Sequence, residues 1–223
     1  MIVLVHAGIA DASMWDGFDL PGAERHEVRG FGNTPLPEAG EISDADDLEA
    51  RLGDGPVSLV GASFGGQVCL EVAARRPELV SELVLLDARV PDHDWSEEII
   101  AFAEEEDRLI EEGDLDSAAE LNARFWAPSV ADRVQPMQRR SFELQVSSAA
   151  EPIEPELIDL GAIRARTLVV VGEEDKADFR AIAARLAEEI PDAELVTMPG
   201  VTHLPSLERP EETAALVRDF LGR

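Results

Sequence analysis

Five short runs of apolar residues punctuate the chain: IVLV at 2–5, VSLV at 57–60, LVLL at 83–86, TLVVV at 167–171 and ELVTM at 194–198. Each stops at a Gly, Asp, Pro or His. A strand with one wet face alternates apolar and polar residues. Continuous runs of this length instead fit a parallel sheet covered on both faces. Helical periodicity falls between them, in GQVCLEVAARR after the second run and in FRAIAARLAEEI after the fourth. Strand and helix therefore alternate. The pattern predicts an α/β fold, an open and mostly parallel sheet with right-handed crossovers. Ligands of such a sheet bind beyond the carboxyl ends of its strands.

Between about residue 92 and residue 160 the pattern changes. SEEIIAFAEEEDRLIEEG puts Ile99, Phe102, Ala103, Leu109 and Ile110 on one helical face, and DSAAELNARFW gathers Ala118, Ala119, Phe125 and Trp126. QPMQRRSFELQVSS predicts a third helix starting at Pro136, because proline suits a first turn and disrupts an interior. No strand signal interrupts these helices. The expected organisation is a core over 1–91, a helical insertion over 92–160 lying above the strand ends, and a second part of the core over 161–223. No internal repeat is present, and the glutamate runs are short enough to be solvated helix faces.

Composition narrows the picture. With 223 residues, 45% of them hydrophobic, the chain can bury one sizeable core. Asp and Glu number 47 against 19 Lys and Arg, a formal net charge of -28. Such a surface repels phosphate backbones and anionic lipid heads, so neither nucleic acid nor membrane is expected as a partner. No stretch approaches the roughly 20 apolar residues of a membrane span. The opening MIVLVHAGIA lacks the basic region of a signal peptide, which leads to the expectation of a cytoplasmic protein. Cys69 is the sole cysteine, so no internal disulfide can form; its apolar neighbours suggest a small buried thiol. Monomer and homodimer both stay open.

Candidate chemistry concentrates in LVGASFGGQV, residues 59–68. An apolar strand leads into Gly61-Ala62-Ser63-Phe64-Gly65-Gly66 and then a helix, the context in which G-x-S-x-G signals an exposed serine on a sharp turn. Glycines at 61 and 65 would clear space that side chains would otherwise fill. A serine hydroxyl needs a base to take its proton. Of the four histidines, His203 in PGVTHLPSLERP stands in a loop after the last strand; His26 and His93 sit in charged segments, and His6 is expected to shape the first loop. The base in turn needs a carboxylate. Asp175, just beyond a strand in VVVGEEDKADF, is the leading choice over Glu173, Glu174, Asp178 and Asp87, because the order Ser63, Asp175, His203 is the one this geometry uses. For a developing oxyanion, one donor would be the N–H of Phe64 and the other the N–H of Gly8 or Ile9 in HAGIADASMWD.

The motifs HAG with Trp15, VRGFGNTP, GASFGG, VVVGEED and GVTHLPSLERPEE run almost end to end. In these the chain resembles an α/β-hydrolase. The resemblance implies a three-layer α/β/α sandwich with Ser63 as nucleophile, Asp175 as acid, His203 as base and Gly8 and Phe64 as oxyanion-hole amides. It also implies a helical cap lining the substrate pocket, with Phe125 and Trp126 either in its wall or packing the cap onto the core. Two departures stand out. His6-Ala7 replaces the usual His-Gly, and the two antiparallel strands that usually precede the HAG strand are missing, so about six strands are expected. The short span from Trp15 to Arg29 leaves little room for a first crossover helix.

A serine nucleophile argues against haloalkane dehalogenases and epoxide hydrolases. Leu204 after the histidine weakens the likeness to carbon–carbon bond hydrolases, whereas the segment is similar to that of 3-oxoadipate enol-lactonases. The implied substrate is a small carboxylic ester or lactone. A non-catalytic ligand-binding protein, a carbon–carbon bond hydrolase and a perhydrolase are the alternatives. Arg124, Arg139 or Arg140 could meet a substrate carboxylate, although arginines on amphipathic helices commonly face water. Neither a metal-ligand cluster nor a G-x-G-x-x-G spacing occurs, so no metal and no cofactor is expected.

Overall fold

The computed structural model describes residues 1–153 and 157–222. In chain order the elements are β1 (Ile2–Val5), β2 (Ala23–His26), β3 (Ala39–Ile42), α1 (Asp44–Leu52), β4 (Val57–Ala62), α2 (Phe64–Arg75) and β5 (Val80–Leu86). Then come α3 (Glu97–Glu111), α4 (Leu115–Trp126), α5 (Ala131–Val146) and β6 (Ala149–Pro152). The chain closes with β7 (Arg166–Gly172), α6 (Ala177–Glu189), β8 (Ala193–Met198), α7 (Pro205–Glu208) and α8 (Pro210–Phe220). Six strands form one sheet in the order β2-β1-β4-β5-β7-β8. Every pairing in it is parallel.

The five apolar runs are β1, β4, β5, β7 and β8. The last lies at the sheet edge with Glu194, Leu195 and Thr197 exposed, against the expectation of two covered faces; the continuity of the other four has a simple cause. Alternate residues feed two separate cores. Val3, Val5, Leu59, Leu83, Leu85, Val169 and Val171 pack under α1, α2 and α6. Ile2, Leu4, Val60, Val84, Leu86, Leu168 and Val170 pack under α8 and the single helical turn Ala12–Trp15. That turn stands where a crossover helix between β1 and β2 would run, so the shortness of this connection is accommodated by one turn capped by Asp11.

Two expectations are corrected. The third helix of the insertion begins at Ala131, and Pro136 lies inside it. An interior proline forfeits the bond to the carbonyl four residues back, yet the helix extends past it to Val146, with Gln138, Ser141, Phe142 and Leu144 buried on its later turns. The insertion also carries a strand: β6 pairs in parallel with β3 in a separate two-stranded sheet, Ala39 opposite Ala149 and Ile42 opposite Pro152. Both strands are largely exposed, so neither shows an apolar run. Residues 154–156 of the insertion lie outside the described residues.

Candidate active site

β1 and β4 are neighbours, so the loops leaving their carboxyl ends meet. Ser63 sits between β4 and α2 with φ 49, a left-handed conformation that a side chain adopts only under constraint. The glycines around it explain how. A Cβ on Gly61 would lie 2.7 Å from the Gly66 Cα, one on Gly65 would lie 2.5 Å from the Val5 carbonyl oxygen, and one on Gly66 would lie 2.5 Å from the Ala88 Cβ. Helix α2 can therefore start directly against β1, β4 and the residue Ala88 after β5 only because three Cβ atoms are absent. The turn aims the Ser63 side chain away from the sheet and brings the positive end of α2 beneath it.

Ser63 Oγ is 2.9 Å from His203 Nε2, and His203 Nδ1 is 2.9 Å from Asp175 Oδ2. One tautomer satisfies both contacts: Nδ1–H donates to Asp175, and Nε2 accepts from the serine O–H. All three residues are buried. The Asp175 carboxyl is also fixed by the Lys176 N–H at 2.7 Å. Burial works to raise Asp175, but His203 beside it and the hydrogen bonds it accepts hold it below the usual carboxylate range. The imidazole is gripped by rings, Phe179 at 4.3 Å and Trp126 at 4.8 Å between centroids.

The other candidates are placed elsewhere. His6 is fully buried, its Nδ1 bonded to the Ala7 carbonyl and its Nε2 accepting from the Val28 N–H. Burial lowers it to about 4, so the ring is neutral at pH 7 and its 3.3 Å approach to Glu27 is not an ion pair. His93 and Ser96 both bond to Asp178, tying the start of α3 to α6. His26 lies at the end of β2, and Glu173 and Glu174 are exposed. Cys69 is buried and its thiol is pushed up by burial.

A cavity of about 730 Å3 opens above Ser63 and His203, between the strand ends and α3 to α5. Gly8, Ile9 and Phe64 line it beside the serine. Among the described residues none of these three backbone N–H groups has a hydrogen-bond partner outside regular elements. Trp126 lines the cavity, but Phe125 does not. Phe125 instead stacks on Phe102 at 4.1 Å and lies under the Lys176 ammonium at 3.8 Å, joining insertion and core. Arg124, Arg139 and Arg140 pair with acidic neighbours on the insertion and stay out of the cavity.

Sequence reasoning missed several residues of the cavity wall. Arg89 follows β5 beside the nucleophile strand; its Nε donates to Gln67 and its guanidinium lies 4.9 Å from the Phe64 ring centroid. Its position just past a strand end was the available signal. Glu106 on α3 also lines the cavity, pushed up to about 7 by burial against the pull of the Asn122 hydrogen bond. Among the described residues, one group of metal-type donors converges: Asp87, Asp175 and His203, within 4.8 Å of one another. Both ring nitrogens of His203 are already engaged, so this donor set does not suit a cation.

The profile of the Alpha/beta hydrolase family matches residues 2–216. The chain belongs to this family. Among curated relatives, it is 27% identical to a 2-hydroxy-6-oxo-6-(2'-aminophenyl)hexa-2,4-dienoic acid hydrolase of Metapseudomonas resinovorans, over 100% of this chain and 84% of the relative. It is 25% identical to a pimeloyl-[acyl-carrier protein] methyl ester esterase of Nitrosospira multiformis, over 98% of this chain and 93% of the relative. Among solved structures, a thermophilic esterase from Thermogutta terrifontis superposes with a TM-score of 0.80 at 27% identity, covering 99% of this chain and 89% of that one. The protein is thus a hydrolase by family. No described helix is long and apolar enough to cross a membrane.

Proposed function

We propose that the protein is a serine hydrolase that cleaves small carboxylic esters or lactones through an acyl-enzyme. The observation that carries this reading is the unbroken relay from Ser63 through His203 to Asp175 at the floor of an open cavity. In the first half-reaction His203 Nε2 takes the hydroxyl proton as Ser63 Oγ adds to the carbonyl carbon, and Asp175 stabilises the imidazolium. The carbonyl oxygen becomes an oxyanion, met by the N–H groups of Phe64 and Gly8 and by the positive end of α2. The tetrahedral adduct collapses, the C–O bond to the leaving alcohol breaks, and His203 returns the proton to that alcohol. Water then repeats the sequence on the acyl-enzyme, releasing the carboxylic acid and restoring Ser63. A lactone follows the same path with its alcohol still attached.

In this reading residues 1–91 and 161–223 form the catalytic core and 92–160 its cap. Trp126 serves both, lining the cavity and covering His203. The relative from Metapseudomonas resinovorans supports a second reading, hydrolysis of a carbon–carbon bond in an oxo-dienoic acid. A panel of p-nitrophenyl esters of increasing acyl length, simple lactones and one such dienoic acid separates the two. Ester or lactone turnover that vanishes in Ser63→Ala supports the proposal; turnover of the dienoic acid alone replaces it with the second reading.

A further inference from the structure

One buried acidic group beside the relay has no part in the scheme above. Asp87 follows β5 with φ 45, and it and Ser63 are the two non-glycine residues with positive φ among the described residues. Such a conformation persists only where the surroundings hold it. Its Oδ1 accepts from the Gly172 N–H at 2.9 Å, while its Oδ2 is buried with no partner of its own. One carboxyl oxygen of Asp87, one of Asp175 and a ring nitrogen of His203 all lie within 4.8 Å of one another.

Two ionised carboxylates at this range, shut away from water, repel each other strongly, so one of them holds a proton. The donors decide which. Asp175 accepts from the Lys176 N–H and from His203 Nδ1–H. Asp87 accepts from a single N–H, at Oδ1. The proton belongs on the group with fewer donors, and on its open oxygen. We propose that Asp87 is a positioning residue, a neutral carboxylic acid whose Oδ2–H donates to Asp175 and keeps that carboxylate turned toward His203. The proton stays on Asp87 throughout the reaction. Titration tendencies run the same way: burial first, then the charge of Asp175 and, more weakly, that of Glu208, raise Asp87 well above the usual carboxylate range.

This inference rests on the hydrolase reading, but its test does not depend on turnover. His203 is one of four histidines, so its imidazole can be titrated by NMR in the wild type, in Asp87→Asn and in Asp87→Leu. Asparagine keeps neutrality, a donor toward Asp175 and tolerance of positive φ. It is expected to leave the His203 titration midpoint unmoved and kcat/KM within about threefold. Leucine fills the space without a donor. Asp175 then holds the imidazolium more tightly, so the midpoint and the acid limb of the pH–rate profile both move to higher pH, and kcat/KM falls about tenfold or more. A midpoint lowered by asparagine would mean that Asp87 carries negative charge, which overturns the proposal. A leucine variant with wild-type midpoint and pH profile would overturn it as well. Should leucine fail to fold, the asparagine result alone decides by its sign. If the titrations behave as stated while no ester, lactone or dienoic acid is turned over, the proposed substrate classes fail and the role of Asp87 stands.

Discussion

The cavity has two opposite walls that obey different rules. The floor, made by the turn of Ser63, is so tight that three positions cannot gain one carbon atom without meeting backbone or a neighbouring Cβ. The cap wall opposite sets polar groups among apolar ones such as Ile99, Phe102, Trp126 and Phe142: Glu106, Asn122 and Gln138 line it, and amide oxygens of Asn122 and Gln138 have no hydrogen-bond partner. A group fixed to tenths of an ångström suits bond-making, where misplacement is costly. A wall with open polar atoms suits recognition, where substitutions change which ligand binds. Changes to the floor should therefore remove kcat or the fold itself, and changes to the cap should move KM.

The sharpest way to break this contrast is at the relay. Ser63→Ala and His203→Ala are each expected to lower kcat/KM about 10⁴-fold or more with a little-changed melting temperature; a mild loss would detach the floor from the chemistry. Gly65→Ala comes next, since its new Cβ would sit 2.5 Å from the Val5 carbonyl oxygen. Urea unfolding should show a loss of about 3 kcal/mol or more, or no folded protein at all. Trp126→Ala straddles both walls. Steady-state kinetics should show kcat/KM down about tenfold, with both kcat and KM affected, because the ring covers His203 and lines the cavity.

Glu106→Gln should have the smallest effect and the most selective one. Glu106 is raised to about 7 by burial, so its carboxyl is mostly neutral at pH 6 and mostly ionised at pH 8. An ester bearing a carboxylate should then bind less well as pH rises, with KM increasing about threefold in the wild type beyond any change in the variant. An uncharged ester should show little of this difference. A glutamine variant with reduced kcat and unchanged KM would place Glu106 on the chemical side of the cavity.

The same contrast governs what could be read from the sequence. The four central strands β1, β4, β5 and β7 were legible because both of their faces are buried, which forces continuous apolar runs; β8, at the sheet edge, was legible from the apolar Leu195, Val196 and Met198 although Glu194, Leu195 and Thr197 are exposed. Strand β2, AERH, was not, because an edge strand exposes its middle residues. Serine, aspartate and histidine were legible from glycine spacing, strand ends and chain order, and the fold brings those three together. The cap wall hid itself: within EEEDR of α3, Glu104 and Glu105 are exposed while Glu106 turns inward, and a run of like charges carries no mark of which member faces a cavity. Phe125 and Trp126 are adjacent aromatics, yet only the second reaches the cavity, because successive residues on a helix point about 100° apart.

The central claim is that Ser63 is an activated nucleophile facing an open cavity. Incubation with a fluorophosphonate, followed by mass spectrometry of the adduct, tests it directly in the wild type, Ser63→Ala and His203→Ala. The account predicts one adduct per chain, located on Ser63 and lost in both variants. A folded wild type that takes up no label, or labelling of Ser63 that persists without His203, would contradict it.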